Sequence, residues 1–264
     1  MKGIDTCRRI PDAQKLKDNG LAFACRYLVP PETFDKAVIA EEAAGLLGAG
    51  LGLLLCWETS ASRARDGAAA GARDGERARK CAEALGVPES TAIYFAVDYV
   101  PPQHDYDAIE YYLRSAGVAC RPYGCGIYGP YAVVEEMVRR IPTLYVWQCV
   151  GGSGGKISSA ADVYQYEWQH GDEAEALAEI LGYSVDLNTC EDLQKAGMWL
   201  PETKKPWYAS TMAWCEKRGL IRDGRPHDPV TRAELSMVLW RLCEGPEDIF
   251  DEDQNRPSGL LSDE

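Results

Sequence analysis

Four carboxylates in this 264-residue chain stand at or near the ends of apolar runs. Asp5 follows "KGI", Glu58 follows "LGLLLCW", and Asp98 follows "AIYFAV". Asp186 lies in a later run, "YSVDLN". Hydrolysis of a glycosidic bond needs one protonated and one ionised carboxyl group. The four acids are therefore the candidate catalytic residues, with Asp98 as the proton donor, because apolar surroundings and neighbouring carboxylates raise a carboxyl pKa.

Glu58 and Asp186 are the candidate ionised partners of Asp98. We assign Glu58 as the second catalytic group and Asp186 as the group that orients the substrate. Any one of these acids could instead cap the helix that follows its strand. Capping explains poorly why four acids stand at predicted strand C-termini while none is placed comparably at the N-termini. A hydrolase that uses the acidic cluster to hold Mg²⁺ or Ca²⁺ is a third and weaker alternative.

Amide and aromatic side chains stand near the ends of the same runs. Aromatic rings stack on the faces of pyranose sugars, and amides form hydrogen bonds with hydroxyl and N-acetyl groups. The alternative is that these are core residues whose polar atoms are satisfied within the fold. The candidate substrate-binding residues are Tyr99, Tyr128, Gln148, Gln165, Tyr166 and Asn188.

Eight apolar runs alternate with helix-like segments over the first two hundred residues. Because the runs are almost continuously apolar, they predict a parallel sheet covered by helices, and eight units predict an α/β fold of the (β/α)8 TIM-barrel type. A doubly wound open sheet is the alternative, but the chain lacks its GxGxxG fingerprint. Strand C-termini of a parallel barrel open on one face, so the polar residues should converge there. The predicted strands are 2–7, 21–28, 51–58, 92–99, 123–129, 143–150, 162–168 and 183–188.

Composition narrows the classes of partner. The net charge of −13 argues against nucleic acid, since phosphate binding needs a basic surface. No stretch has the ~18 consecutive apolar residues of a membrane span, and residues 1–14 lack the apolar region of a signal peptide. The sequence therefore predicts a chain that is made in the cytoplasm, does not bind a membrane and needs no cofactor. Its ten cysteines, mostly within apolar runs, are predicted to be reduced.

Residues 1–197 resemble a glycoside-hydrolase-like family, domain-of-unknown-function family 1906, which is similar to the family-25 lysozymes that cut bacterial peptidoglycan. The resemblance rests on "GIDTC", "CRYL", "WETSASRA", "IYFAVDY", "GIYGPYAVVE", "WQCVGGSGGKI", "VYQYE" and "SVDLN", in this order. It implies a (β/α)8-type barrel with an acidic, aromatic-lined groove for a polysaccharide, and hence a peptidoglycan-directed, muramidase-like hydrolase.

The resemblance also places individual residues. Family-25 lysozymes carry an Asp at the end of the first strand, an Asp-x-Glu at the end of the fourth and an Asp at the end of the eighth. Asp5 and Asp186 match the first and last, and Asp98 takes the position of the proton-donating Glu. Ala96 stands where the motif has its Asp. That departure supports an alternative function, a barrel that binds cell-wall polysaccharide without cutting it.

The C-terminal part is predicted to be separate from the barrel (1–200). Residues 201–244 resemble a single S-layer-homology module, a helical hairpin used in wall anchoring, and "TRAE" within it is a capping box. Docking on the barrel is the alternative role for this module. Residues 245–264 form an acidic tail that we expect to be disordered. A wall-directed barrel with such a module resembles a phage endolysin, released through a holin.

Overall fold

The computed structural model describes residues 1–202 other than 33 and 35, and beyond them only residues 217, 235, 236, 239, 250, 251, 256 and 257. The chain divides into two compact units, Met1–Glu202 and Thr203–Glu264. In the second unit, strand β9 (Phe250–Asp251) pairs antiparallel with β10 (Arg256–Pro257). Apart from isolated positions, the predicted S-layer-homology module and acidic tail lie outside the described residues.

The first unit is a closed barrel of eight strands in sequence order, which confirms the predicted TIM-type architecture. Every strand lies within or beside one of the predicted apolar runs. The strands are β1 (Lys2–Asp5), β2 (Phe23–Tyr27), β3 (Gly52–Trp57), β4 (Ala92–Ala96), β5 (Gly124–Pro130), β6 (Tyr145–Cys149), β7 (Val163–Glu167) and β8 (Asp186–Cys190).

Six α-helices alternate with the strands of the barrel, as the alternation of apolar runs and helix-like segments predicts. Two of them end at a glycine in the left-handed region, Gly86 (φ 72°) and Gly182 (φ 87°), as helix C-termini often do. Residues 150–162, between β6 and β7, form no helix. The helices are α1 (Ala13–Asp18), α2 (Ala40–Gly48), α3 (Gly67–Leu85), α4 (Tyr106–Ala119), α5 (Tyr131–Arg140) and α6 (Asp172–Leu181), with short 3₁₀ helices at Arg63–Asp66 and Gln103–Asp105.

Strand β8 departs from a fully parallel barrel. It pairs antiparallel with both β1 and β7, whereas the other ladders are parallel. The prediction that Asp186 stands late in a strand over 183–188 is therefore wrong, because the strand begins at Asp186. Asp186 still reaches the same face as Asp5, its ladder partner, because a reversed strand places its N-terminal end there.

The barrel interior is filled by the inward-facing residues of alternating strand positions. Phe23, Leu54, Tyr94 and Trp147 are all buried there. The face opposite the mouth is closed by the chain that follows β8. Its backbone carbonyls accept hydrogen bonds from the Tyr94 hydroxyl (at Ala196, 2.7 Å) and the Ala92 amide (at Gly197, 2.7 Å), and Trp199 forms a bridge with Leu53.

Helices α3 and α4 pack unusually close. A Cβ atom placed on Gly71 would lie 2.1 Å from the backbone oxygen of Tyr112, and one on Gly75 would lie 2.5 Å from that of Ala116. The two glycines stand four residues apart, so they share one face of α3. Their lack of side chains lets the two backbones come into contact.

Candidate active site

The four predicted carboxylates converge on one cleft at the barrel mouth. Asp5, Glu58, Asp98 and Asp186 all line it, together with Tyr27, Ala96, Tyr128 and Trp147. The positions follow from strand periodicity, because alternate residues of each strand point inward. Asp98 and Glu58 continue the inward rows of β4 and β3 just beyond the strand ends. The convergence of the four acids on one face was thus predictable from the sequence, although Asp186 begins its strand and does not end it.

Asp5 lies at the base of the cleft, almost fully buried. Its Oδ2 atom accepts hydrogen bonds from the amides of Gln165 (3.0 Å) and Asn188 (2.6 Å). Trp147 in turn donates its indole N–H to the Asn188 side-chain oxygen (2.8 Å). Burial, followed by the charge of Asp186, raises the pKa of Asp5 to about 7, although both amides act in the opposite direction.

Asp186 is the close neighbour of Asp5. Its Oδ1 accepts the backbone N–H of Gln169 (2.7 Å), and its Oδ2 accepts the Gln165 amide (3.3 Å). Burial raises the pKa of Asp186, while its hydrogen bonds with Gln169 and Asp5 lower it. Two carboxyls in contact titrate as a pair, because both cannot easily carry charge at once. The pair therefore holds one proton in mildly acidic solution.

Asp98 projects into the solvent-accessible part of the cleft. It lies two residues past the end of β4, where its backbone N–H donates to the carbonyl of Ala61 (3.0 Å). Partial burial, followed by the charges of Glu58 and Asp186, raises the pKa of Asp98, while the Lys36 ammonium opposes the shift. Such a carboxyl keeps its proton to a higher pH than an isolated Asp, as a proton donor requires.

Glu58 forms an ion pair with Lys36, whose ammonium lies 2.7 Å from Oε2. The same ammonium stands over the ring of Tyr27, 4.0 Å from its centroid, in a cation–π contact. Neither Lys36 nor Tyr27 was among the residues predicted from the sequence. Tyr27 continues the inward row of β2 within "CRYL" and was detectable there, whereas Lys36 lies between β2 and α2 in a segment with no periodic pattern.

A second cleft of about 310 Å³ continues from the mouth and shares Asp98, Tyr128 and Asp186 with it. Its outer part is formed by Tyr99, Val100, Pro130, Gly152 and Trp168. Trp168 follows β7 and is 54% exposed, an unusual degree for so large an apolar side chain. It is a candidate binding residue that was not among those predicted from the sequence, although "EWQHGD" shows a Trp in a polar segment.

The predicted substrate-binding residues divide into two groups. Tyr99 and Tyr128 line the clefts, and Gln165 lies beside them, accepting a hydrogen bond from the Tyr128 hydroxyl (3.2 Å). Asn188 is fully buried beneath Asp5, so it supports that carboxyl rather than facing open space.

The structure does not bring Gln148 or Tyr166 to the mouth. Gln148 is fully buried, and its amide bonds to Lys156 O (2.8 Å), Ser153 Oγ (3.3 Å) and the N–H of Ser158 (2.7 Å). It therefore braces the loop between β6 and β7, because it points to the opposite side of β6 from Trp147. Tyr166 donates its hydroxyl to Glu173 of α6 (3.1 Å), on the outer side of β7.

The described residues contain neither a cluster of metal-binding side chains nor a helix suited to a membrane. No group of three or more His, Cys, Asp or Glu side chains in that part of the chain has the arrangement needed to hold a metal ion. No helix there has the length and hydropathy to cross a bilayer.

Comparison with solved structures finds the same fold in several bacterial proteins. The Tat-secreted protein Rv2525c of Mycobacterium tuberculosis, in complex with L-tartrate, is 26% identical over 75% of this chain and 98% of that chain (TM-score 0.64). The modular autolysin LytC of Streptococcus pneumoniae, in complex with a synthetic peptidoglycan ligand, is 13% identical over 71% and 46% (TM-score 0.51). GHIP, a glycosyl hydrolase 25 of the same species, is 13% identical over 74% and 90% (TM-score 0.50).

No curated protein matches the chain. A family model described as Rv2525c-like, glycoside hydrolase-like domain matches residues 14–190, which contain seven of the eight barrel strands and three of the four mouth carboxylates. The match covers more than half of the chain. The protein therefore belongs to the Rv2525c-like, glycoside hydrolase-like domain family.

Proposed function

We propose that the barrel is a glycoside hydrolase that cuts the glycan of bacterial peptidoglycan, in the manner of a muramidase. One observation carries this proposal: Asp98, whose pKa is raised by partial burial and by the charges of Glu58 and Asp186, stands in an open cleft beside those carboxylates. A carboxylic acid next to an ionised carboxylate is the pair that glycoside hydrolysis uses. The fold shared with a peptidoglycan-binding autolysin supports this choice of substrate.

In this mechanism Asp98 donates its proton to the oxygen of the scissile glycosidic bond. Positive charge then develops on the sugar ring, and the carboxylate of Glu58 stabilises it or activates the attacking water. Lys36 holds Glu58 in place through its ion pair. The Asp5 and Asp186 pair, with one proton between them, both donates and accepts hydrogen bonds, and so suits the hydroxyl groups of a bound sugar.

The second cleft would hold the sugar next to the cleaved bond. Trp168 offers an exposed ring on which a pyranose face stacks, and Val100 extends the same apolar surface. Tyr99 is held by a hydrogen bond from its hydroxyl to Asp105 (2.9 Å), so its ring is already ordered before a sugar binds. Order of this kind lowers the entropic cost of binding.

Digestion of purified cell walls tests the proposal, with mass analysis of the released muropeptides. We expect the native chain to release fragments and Asp98→Asn to release them at least ~100-fold more slowly, because general acid catalysis contributes about 10²–10⁴-fold. Activity of the native chain should fall as the pH rises through the raised pKa of Asp98, since the donor must be protonated. Asp18→Asn is the matched control, because Asp18 is an exposed residue at the end of α1. Equal release by the native and Asp98→Asn chains would contradict the role of Asp98.

A binding function without cleavage is the second candidate. Ala96 lines the mouth where the family-25 motif carries an Asp, and Glu58 is already occupied by Lys36. Both features reduce the number of free carboxylates available to attack. Sedimentation of the chain with insoluble walls, without release of fragments by the native protein, would favour this binding function over hydrolysis.

We place the site of action at the bacterial cell wall. The similar Rv2525c protein is described as Tat-secreted, which agrees with action outside the cytoplasm. Release by a phage holin and wall anchoring by residues 201–244 stay predictions.

A further inference from the structure

Two cysteines lie side by side at the closed face of the barrel, away from the mouth. Cys120 follows α4 directly, and Cys125 is the second residue of β5. Both thiols lie beside Gly117 of α4: the Cys120 thiol donates to the carbonyl oxygen of Gly117, and the Cys125 thiol donates to that of Leu113 (3.7 Å), one turn earlier. All eight cysteines that the structure describes are free thiols.

The backbone around Gly117 holds the two sulfur atoms together. The Cys120 sulfur lies 3.8 Å from the Gly117 carbonyl oxygen and 3.7 Å from that of Tyr123. A Cβ atom placed on Gly117 would lie 3.3 Å from the Cys125 sulfur. A larger residue at position 117 would therefore push the Cys125 thiol out of its present position.

The two thiols differ in acidity and in access to solvent. Contact with Cys125 lowers the pKa of Cys120, whereas contact with Cys120, together with burial, raises the pKa of Cys125. Cys125 borders an open cleft between α4 and the segment after α5, next to Arg121 and Leu144. Cys120 is fully buried. A small oxidant in this cleft can therefore reach the Cys125 thiol, whereas the Cys120 thiol is the more acidic of the two.

We propose that Cys120 and Cys125 are a dithiol that oxidises to an intramolecular disulfide, joining the end of α4 to the start of β5. The oxidant is a low-molecular-weight disulfide such as oxidised glutathione. Cys125 loses its proton and attacks one sulfur of the oxidant, which releases one thiol and leaves a mixed disulfide. The Cys120 thiolate then attacks the Cys125 sulfur and expels the second thiol. Two cysteine thiols are oxidised, and one external disulfide is reduced to two thiols.

The bond closes only a short loop, so its effect on stability is limited. Loop-closure entropy grows with the length of the closed segment, and the stabilisation here should raise the thermal midpoint by roughly 3–8 °C. A disulfide at this place leaves the mouth unaltered, because the mouth lies at the other ends of the strands. The proposal is therefore independent of the proposed hydrolase function.

Mass spectrometry of the full chain tests the proposal directly. The chain is equilibrated in glutathione buffers of increasing oxidised fraction, alkylated under denaturing conditions and digested with trypsin. Cleavage after Arg114 and Arg139 gives one peptide with both cysteines, because the Arg121 bond precedes a proline and resists the protease. We expect this peptide to appear two hydrogen atoms lighter and without alkylation. Alkylation of both cysteines in the most oxidising buffer would overturn the proposal.

Two variants serve as controls in thermal melts. Cys120→Ser should lose the rise in thermal midpoint that oxidised glutathione gives the native chain. Cys81→Ser should keep it, because Cys81 lies on α3 and has no partner thiol among the described residues. An equal rise in Cys120→Ser and the native chain would assign the effect to another group and overturn the proposal.

Discussion

Asp5 is a buried carboxyl whose charge the fold tolerates poorly. Two amide donors hold one of its oxygens, yet burial and Asp186 still raise its pKa to about 7. The folded chain therefore keeps a proton that the unfolded chain, with a pKa near 3.8, has released. Such a proton stabilises the fold fully below the unfolded pKa, and this stabilisation is lost as the pH rises towards about 7.

Replacement of Asp5 by Asn should flatten this pH dependence. Asn resembles the protonated acid in shape and carries no charge at any pH. The native chain should lose roughly 3 kcal/mol more than Asp5→Asn between pH 4 and pH 7, since each pKa unit corresponds to about 1.4 kcal/mol and the two pKa values lie close to the ends of this range. Denaturant unfolding at a series of pH values measures the difference, with Asp18→Asn as the control that keeps the native slope. Parallel curves for the native and Asp5→Asn chains would show that Asp5 does not bind this proton.

At the scale of elements, the contact between α3 and α4 depends on residues without side chains. Gly71→Ala should destabilise the fold by roughly 1–3 kcal/mol or more, because its new methyl group would overlap the backbone of Tyr112. Gly45→Ala is the matched control on α2, where a Cβ atom meets no other atom within 4 Å. It should stabilise the fold by about 0.5–1 kcal/mol through better helix propensity. Free energies of unfolding from denaturant titration check both signs, and equal effects would contradict this account.

Element positions were largely predictable because each strand is a compact apolar run and each helix has its own boundary. The direction of β8 could not be predicted, because "SVDLN" is compatible with either direction. Only the pairing of β8 with β1 and β7 decides it. Gln148 was misplaced for a related reason. Its neighbour Cys149 faces the cleft, and adjacent residues of a strand point to opposite sides of the sheet. An error of one position in the strand therefore assigns to the site a residue whose side chain supports the loop between β6 and β7.

At the scale of the whole molecule, closure of the barrel depends on β8 and the segment that follows it. A chain ending after residue 202 should keep a single cooperative thermal transition. One ending after residue 190 should melt at a lower temperature, because Tyr94 and the Ala92 amide would lose their buried hydrogen-bond partners. One ending after residue 184 should show no cooperative transition, since β1 and β7 would become open edges. Near-ultraviolet circular dichroism during heating distinguishes the three, and a cooperative melt of the shortest chain would contradict this view of closure.

The reversed direction of β8 also fixes where the barrel is tethered. Its last residue, Cys190, accepts a hydrogen bond from the amino group of Met1 (2.7 Å), so the chain enters and leaves the barrel at the closed face. Both ends of the described barrel, at Met1 and at Trp199, therefore lie on the side away from the groove. Changes in the loops at the mouth can alter the groove without touching the junction at which the first and last strands close the barrel.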